Sequence, residues 1–200
     1  WSPKSITKVI QYEFDPTFQN IEYVLCLSGT FNEYYQLLKS TDDGLTWSMK
    51  LQVNRYNPPE GLQSLLVDSY TSGRIFITKE YYGSGRIDSS EVLRSTDFGE
   101  NWNRFYVINN PSENYRTLNM VVPIPHNSNR LYILKTSGVD TTDDGGNTWH
   151  TIDSTSLNGR NYFVRYVGVV DLVINPKKPW NWFARLRADM FPSDSMAFIR

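Results

Sequence analysis

The sequence predicts an all-β protein built from repeats of four antiparallel strands, on three observations. An octet of the form Ser/Thr-x-Asp-x-Gly-x-Thr/Asn-Trp occurs three times: STDDGLTW at 40–47, STDFGENW at 95–102 and TDDGGNTW at 142–149. A second pattern, an apolar run, a polar turn and another apolar run, precedes each octet and occurs a fourth time after the last. The two patterns share one period: the turns begin at Asp15, Asp68, Pro125 and Asn175, in steps of 53, 57 and 50, and the octet aspartates Asp42, Asp97 and Asp144 step by 55 and 47. A fixed period of this size marks a repeat architecture.

Taken in order, the apolar pairs are VIQYEFDPTFQNIEYVLCL, SLLVDSYTSGRIFIT, MVVPIPHNSNRLYIL and VVDLVINPKKPWNWFARL. Their runs are short, rich in Val, Ile, Leu, Tyr and Phe, and bounded by Asp-Pro, Ser-Gly or Asn-Pro, which is strand chemistry. No run has the length and period of a helix. Each repeat therefore reads as strand A, a turn, strand B, a longer loop, strand C, the octet as a hairpin, and strand D. Four such strands per ~50 residues is the unit of a β-propeller blade. The predicted blades cover roughly 6–56, 61–108, 117–153 and an incomplete 167–200, about three and a half in all. Because propellers close with about 4–8 blades, the chain is expected to continue into further blades or to assemble with another chain.

Composition supports a packed fold and narrows the function. With 40% hydrophobic and 14% aromatic residues, the 200-residue chain can bury a sizeable core. Its 20 basic and 21 acidic side chains leave a net charge of -1, which gives no field to draw nucleic acid. Cys26 is the one cysteine, so packing rather than an intrachain disulfide must hold the fold. No apolar run approaches the ~20 residues of a transmembrane helix, and WSPKSITKVI lacks the basic and apolar regions of a signal peptide.

The octet invites reading as an active site, since it sets carboxylates beside glycine and tryptophan. Turn chemistry explains it better. Gly44, Gly99 and Gly146 suit a positive φ, and Asp42, Asp97 and Asp144 suit accepting backbone N–H groups. The hydroxyls of Ser40, Ser95 and Thr142 close the turn locally. Trp47, Trp102 and Trp149 are expected to anchor the hairpins as buried aromatics between sheets. A catalytic pair has no reason to be copied once per blade, and the Asp-x-Asp-x-Asp-Gly spacing of a calcium loop is absent. His126 lies on the turn side and His150 beside an octet, which supports neither a His-based triad nor a zinc site. No cofactor or metal is expected.

The octet resembles the Asp-box, or bacterial neuraminidase repeat. That resemblance implies an Asp-box propeller, a class that includes sialidases, xyloglucan-cleaving glycoside hydrolases, a photosystem assembly factor and the Vps10 domains of sortilin-type receptors. Ser95–Trp102 and the long B–C loops look most similar to Vps10 blades, which implies peptide or protein binding and an extracellular, cell-surface or lumenal setting. A sialidase resemblance would imply an arginine triad, a Tyr–Glu nucleophile pair and a Phe/Tyr-Arg-Ile-Pro motif before the first octet, and no such motif precedes Ser40.

In an up-and-down blade the A–B turns and octets emerge at one end of the sheet, and the B–C and D–A loops at the other. Tyrosine and arginine crowd the second set: Tyr34, Tyr35, Arg55, Tyr56, Tyr81, Tyr82, Arg86, Tyr115, Arg116, Arg160 and Tyr162. These residue types dominate binding hot spots. The expectation is a non-catalytic module that recognises a protein or glycan through these loops. The alternative is a glycoside hydrolase, sialidase-like or endo-glucanase-like, drawing its two carboxylates from Asp88, Glu91, Glu60 and Glu113.

Overall fold

The computed structural model describes residues 6–83, 86–109, 118–135, 138–153, 167–174, 182–188 and 195–199. Fifteen strands and no helix occur among them. The chain divides into two compact units, Trp1–Asn114 and Tyr115–Arg200.

In the first unit, β1 (Ile6–Phe14), β2 (Glu22–Ser28), β3 (Tyr34–Ser40) and β4 (Ser48–Asn54) form one antiparallel sheet in chain order. A second sheet follows in the same order, from β5 (Glu60–Val67), β6 (Ile75–Gly83), β7 (Arg86–Ser95) and β8 (Asn103–Asn109). In the second unit, β9 (Leu118–Ile124), β10 (Asn127–Lys135), β11 (Gly138–Thr142) and β12 (His150–Asp153) form a third sheet. Beyond it, β13 (Val167–Ile174), β14 (Trp182–Ala188) and β15 (Ser195–Ile199) make a three-stranded sheet. The all-β, four-stranded antiparallel architecture is the one the sequence predicts, and the fourth sheet carries a third strand past the two apolar runs visible in the sequence.

Register repeats with the sheets. The first strand of each two leading sheets carries a bulge at the same place, between Val9 and Gln11 in β1 and between Leu62 and Ser64 in β5. β13 has one between Val169 and Asp171. Such an extra residue turns backbone groups out of the ladder. β5 is an edge strand of its sheet, and past the bulge its main chain at Leu65 is taken up across the seam: Leu65 N donates to Gln11 Oε1 at 2.9 Å, and Gln11 Nε2 donates to Leu65 O at 2.6 Å.

The core of the first unit lies between its two sheets. Tyr23, Leu25, Leu37 and Val53 of the first sheet meet Leu62, Leu65, Val67, Ile75 and Ile77 of the second, all buried. β2 is buried along its whole length, EYVLCLS, which accounts for an apolar run without the alternation of a half-exposed strand. On the opposite face of the first sheet, Val24, Cys26 and Leu38 form a smaller cluster with Trp47. Burial pushes the Cys26 thiol up to about 11, so it stays an inert packing residue.

A buried carboxylate joins the two sheets at their A–B turns. Asp15 accepts Thr17 N at 2.9 Å and Phe18 N at 3.0 Å within its own turn. It also accepts the Ser72 hydroxyl at 3.0 Å and Gly73 N at 3.2 Å from the next turn. Burial alone would raise its pKa, but the N–H groups of Phe18, Thr17 and Gly73 and the Ser72 hydroxyl outweigh that and hold it low. Asp68, at the same place in the second sheet, is buried and binds the Arg74 guanidinium.

Candidate functional site

The octets are closed turns with their polar atoms satisfied. In the first, Ser40 Oγ donates to Asp42 Oδ1 at 2.8 Å and accepts Gly44 N at 2.9 Å. Asp42 accepts Thr46 N at 2.8 Å and the Thr46 hydroxyl at 2.6 Å, and Trp47 Nε1 donates to Gly44 O at 2.9 Å. The second repeats this with Asn101 as the donor to Asp97 and Trp102 Nε1 donating to Gly99 O. The third repeats it with Thr148, Asp144, Trp149 and Gly146. Two successive residues in each octet are left-handed: Asp43 and Gly44, Phe98 and Gly99, Gly145 and Gly146. The first of each pair donates its N–H to the A–B hairpin of its own sheet, at Asn20 O and Gly73 O in the turns and at Asn129 O near the start of β10. Only the second is glycine in every octet, since the first is Asp43 or Phe98 in two of them.

These bonds fix what the octet carboxylates can do. Donation from the Asn101 side chain, then its backbone and Ser95, lowers the Asp97 pKa to about 2. Donation from Thr46 likewise lowers the Asp42 pKa, and donation from Thr148 lowers that of Asp144. A carboxylate saturated with donors is a poor base and nucleophile at neutral pH. Each folded-state pKa lies below its unfolded value of 3.8, so the unfolded chain takes up more protons in acid. The resulting stability is complete above that unfolded value and is lost as pH falls toward 2. Thermal melts should be flat from pH 7 to 5 and fall steadily between pH 4 and 2, and Asp97→Asn should flatten part of that fall. The three octet tryptophans are half-buried rather than sealed in a core. Trp102 packs on the cluster between the sheets and Trp47 on the smaller one, so truncating either costs less than removing a core aromatic.

The opposite end of the sheets holds the residues singled out for binding, and it sorts them into two groups. Arg55 and Tyr56 sit in the connection from β4 to β5. Asn54 Oδ1 accepts Tyr56 N at 2.8 Å and Asn57 N at 2.7 Å, and Arg55 N donates to Glu33 O at 2.8 Å. The Arg55 guanidinium stands 5.6 Å from the Tyr56 ring centre. The Tyr56 hydroxyl donates to Phe31 O at 3.2 Å, tying this connection to the β2–β3 loop. Phe31 and Tyr56 are 75% and 57% exposed on these anchored loops. Phe31 was not among the residues expected to bind; its signal is an aromatic placed beside Gly29 and Asn32, both at positive φ.

The second group is packed. Tyr34 and Tyr35 lie in β3 and are half-buried, with Tyr35 against the core between the sheets. Tyr81 and Tyr82, expected in the loops, belong to β6: the segment KEYYGSGRIDSSE is mostly the paired strands β6 and β7. The Tyr81 hydroxyl donates to Glu91, which also accepts Arg104 Nε at 2.6 Å. Lys79 Nζ lies 4.5 Å from the Tyr81 ring centre and 3.0 Å from Glu60. Tyr82 accepts from Gln63 at 2.8 Å and donates to the buried Glu80 at 2.5 Å. Arg86 opens β7, and its side chain lies outside the description. Tyr115, Arg116, Arg160 and Tyr162, with Glu113, lie outside the described residues.

The chemistry open to this end follows from its carboxylates. Glu60 is held by Lys79, Glu91 by Tyr81 and Arg104, and Glu80 by Tyr82. Burial, then the bond to Glu91, raises the Tyr81 pKa, the opposite of an activated nucleophile. Glu33, in the connection from β2 to β3, and Asp88, in β7 of the second sheet, have no such partner among the described residues. No group of three or more His, Cys, Asp or Glu among the described residues could hold a metal ion, and they contain no helix long and apolar enough to cross a membrane.

No protein-family model matches the chain, and no curated protein is significantly similar to it. Solved structures do match. A GH74 enzyme from Niastella koreensis superposes with a TM-score of 0.66 at 18% identity, over 96% of this chain and 28% of that one. YCF48 from Cyanidioschyzon merolae superposes with a TM-score of 0.55 at 16% identity, over all of this chain and 58% of that one. YCF48 bound to D1 peptide gives 0.54 at 11% identity, over 98% and 58%. At these identities the likeness shows the fold: these sheets are the four-stranded blades of a β-propeller, and they span about a quarter to somewhat over half of the chains they match.

Proposed function

We propose that this protein is a non-catalytic propeller module that binds a protein segment through the loops carrying Phe31, Arg55 and Tyr56. One observation carries this reading. At the loop end of the first unit, backbone and Asn54 anchors hold the Phe31 and Tyr56 rings out to solvent with the half-buried Arg55 against Tyr56, while Glu60, Glu80 and Glu91 are committed to partners. Aromatics and arginine on pre-ordered loops lose little entropy on binding. The octets are Asp-boxes in this reading, with the Vps10-like branch the nearest in kind and an extracellular or lumenal setting. YCF48, which shares the fold, has been captured with a peptide bound, and this supports a peptide-like ligand over a glycan.

The glycoside-hydrolase reading rests on Glu60 and Glu91, both on the face of the second sheet turned toward the first. The two readings part in one pair of assays. Selection from a displayed library of random 12-residue peptides should yield binders whose affinity falls at least tenfold in the Phe31→Ala, Tyr56→Ala double variant, with the melting temperature within a few degrees of wild type. Xyloglucan and sialyllactose should be left intact. Sugar release lost in Glu91→Gln would reverse the assignment.

A further inference from the structure

Glu33 is the unpaired carboxylate of the anchored loops. Glu60 lies 3.0 Å from Lys79 and Glu91 lies 2.6 Å from Arg104, whereas Glu33 has no ion pair among the described residues and its Oε2 is buried without a hydrogen-bond partner. The main chain fixes its place. Glu33 O accepts Arg55 N at 2.8 Å, and Asn32 N donates to Gly29 O at 3.3 Å within the same turn. The carboxylate folds back onto Gly29, where a β-carbon would overlap Oε2, so that position needs glycine for room as well as for its left-handed φ. Burying a carboxylate oxygen with nothing to bond is unfavourable, and native structures seldom leave such an atom unmatched. The neighbouring cation does not match it: the Arg55 guanidinium stands over Tyr56, 5.6 Å from the ring centre, and forms no ion pair with Glu33. Rotation about the last bond of a glutamate is soft, so Oε2 can turn away from Gly29 toward a ligand at little cost.

We propose that Glu33 sets the specificity of the loop site by selecting a peptide segment that carries an arginine, an inference that rests on the binding role proposed above. Charge decides the sign of the partner, because a carboxylate without a counter-ion attracts a cation and rejects an acidic segment. The flanking side chains decide its kind. Phe31 and Tyr56 are exposed on the same pair of clamped loops, with the Tyr56 hydroxyl bonded to Phe31 O and Arg55 N to Glu33 O. A guanidinium bonds a carboxylate through two parallel N–H groups, stacks on aromatic rings, and is more weakly hydrated than an ammonium. Arg55 over Tyr56 is the same pairing made within the chain. Repulsion by Arg55 opposes a cationic ligand, but it acts through solvent and is screened by salt, whereas Glu33 bonds its partner directly. A lysine in the same place should bind more weakly.

The test takes peptides selected on the wild-type protein from the displayed library of random 12-residue sequences, synthesised with arginine or with its neutral isostere citrulline. The binders should share an arginine, and citrulline in its place should weaken binding to the wild type by about tenfold or more. Glu33→Gln should weaken the arginine peptide by a similar factor, and on that variant the exchange for citrulline should change affinity by less than about threefold, closing a double-mutant cycle. Without ligand, Glu33→Gln should melt no more than a few degrees below wild type, since the carboxylate has no partner to lose. A larger fall would overturn the proposal by showing that the carboxylate is bonded within the chain. Binders without a shared arginine would also overturn it, as would a citrulline effect as large on Glu33→Gln as on the wild type. In those cases, affinity still lost in the Phe31→Ala, Tyr56→Ala double variant would leave the binding role standing. A selection that yields no binders, or binders indifferent to that double variant, would remove both.

Discussion

Asp15→Ala is expected to lower the stability of the chain by about 3–5 kcal/mol, a larger loss than any octet substitution should give. The alanine leaves Thr17 N, Phe18 N, Ser72 Oγ and Gly73 N without their acceptor. Their carboxylate is almost wholly buried, so water cannot replace it without opening the turns. Asp15→Asn keeps one acceptor oxygen and should fall between wild type and alanine. Ser72→Ala removes a single donor and should cost about 1 kcal/mol. Urea unfolding followed by tryptophan fluorescence measures all three, and an alanine variant within 1 kcal/mol of wild type would show that the A–B turns hold together without this carboxylate.

Leu25→Ala should cost a similar amount, about 2–5 kcal/mol, for a different reason. Leu25 sits at the middle of β2, fully buried among Leu37, Leu65 and Ile77 between the two sheets. Truncation removes apolar contact on both sides of the seam and leaves a cavity that neither rigid sheet can close. Leu45→Ala is the contrast, because that side chain is exposed on an octet and its loss should change the urea midpoint hardly at all. A Leu25→Ala protein as stable as wild type would place the main core elsewhere.

The repeat and its strands were legible in the chain because their causes are local. Gly44, Gly99 and Gly146 announce left-handed turns, and apolar runs broken by Asp-Pro or Ser-Gly announce paired strands. What stayed illegible depends on residues far apart in sequence. The Asp15 carboxylate looks like an ordinary turn aspartate until Ser72 and Gly73 are set beside it. Asp43 and Phe98 give no sign of a left-handed backbone, which is imposed by the N–H each donates to the neighbouring turn. Tyr81 and Tyr82 lie in a polar, glycine-containing run that reads as loop by composition. Pairing Lys79 with Glu60 and Tyr81 with Glu91 makes that run strand, and these partners belong to other strands. At the candidate site, the tyrosine and arginine content singled out one end of the sheets, but only the structure separates the exposed Tyr56 from the packed Tyr81.

In every sheet the strands lie side by side in the order in which they occur in the chain. This bears on synthesis. Each sheet needs only hairpins between consecutive strands, so its hydrogen-bonded ladder can assemble as soon as its own residues have left the ribosome. Its apolar face is a different matter: Leu25 and Leu37 stay open to solvent until β5 and β6 emerge, and Asp15 waits for Ser72. Maturation of the first unit is therefore stepwise and directional, with its second sheet sealing the first, and a pause in translation between Asn54 and Ile75 would leave the apolar face of the first sheet exposed on the nascent chain.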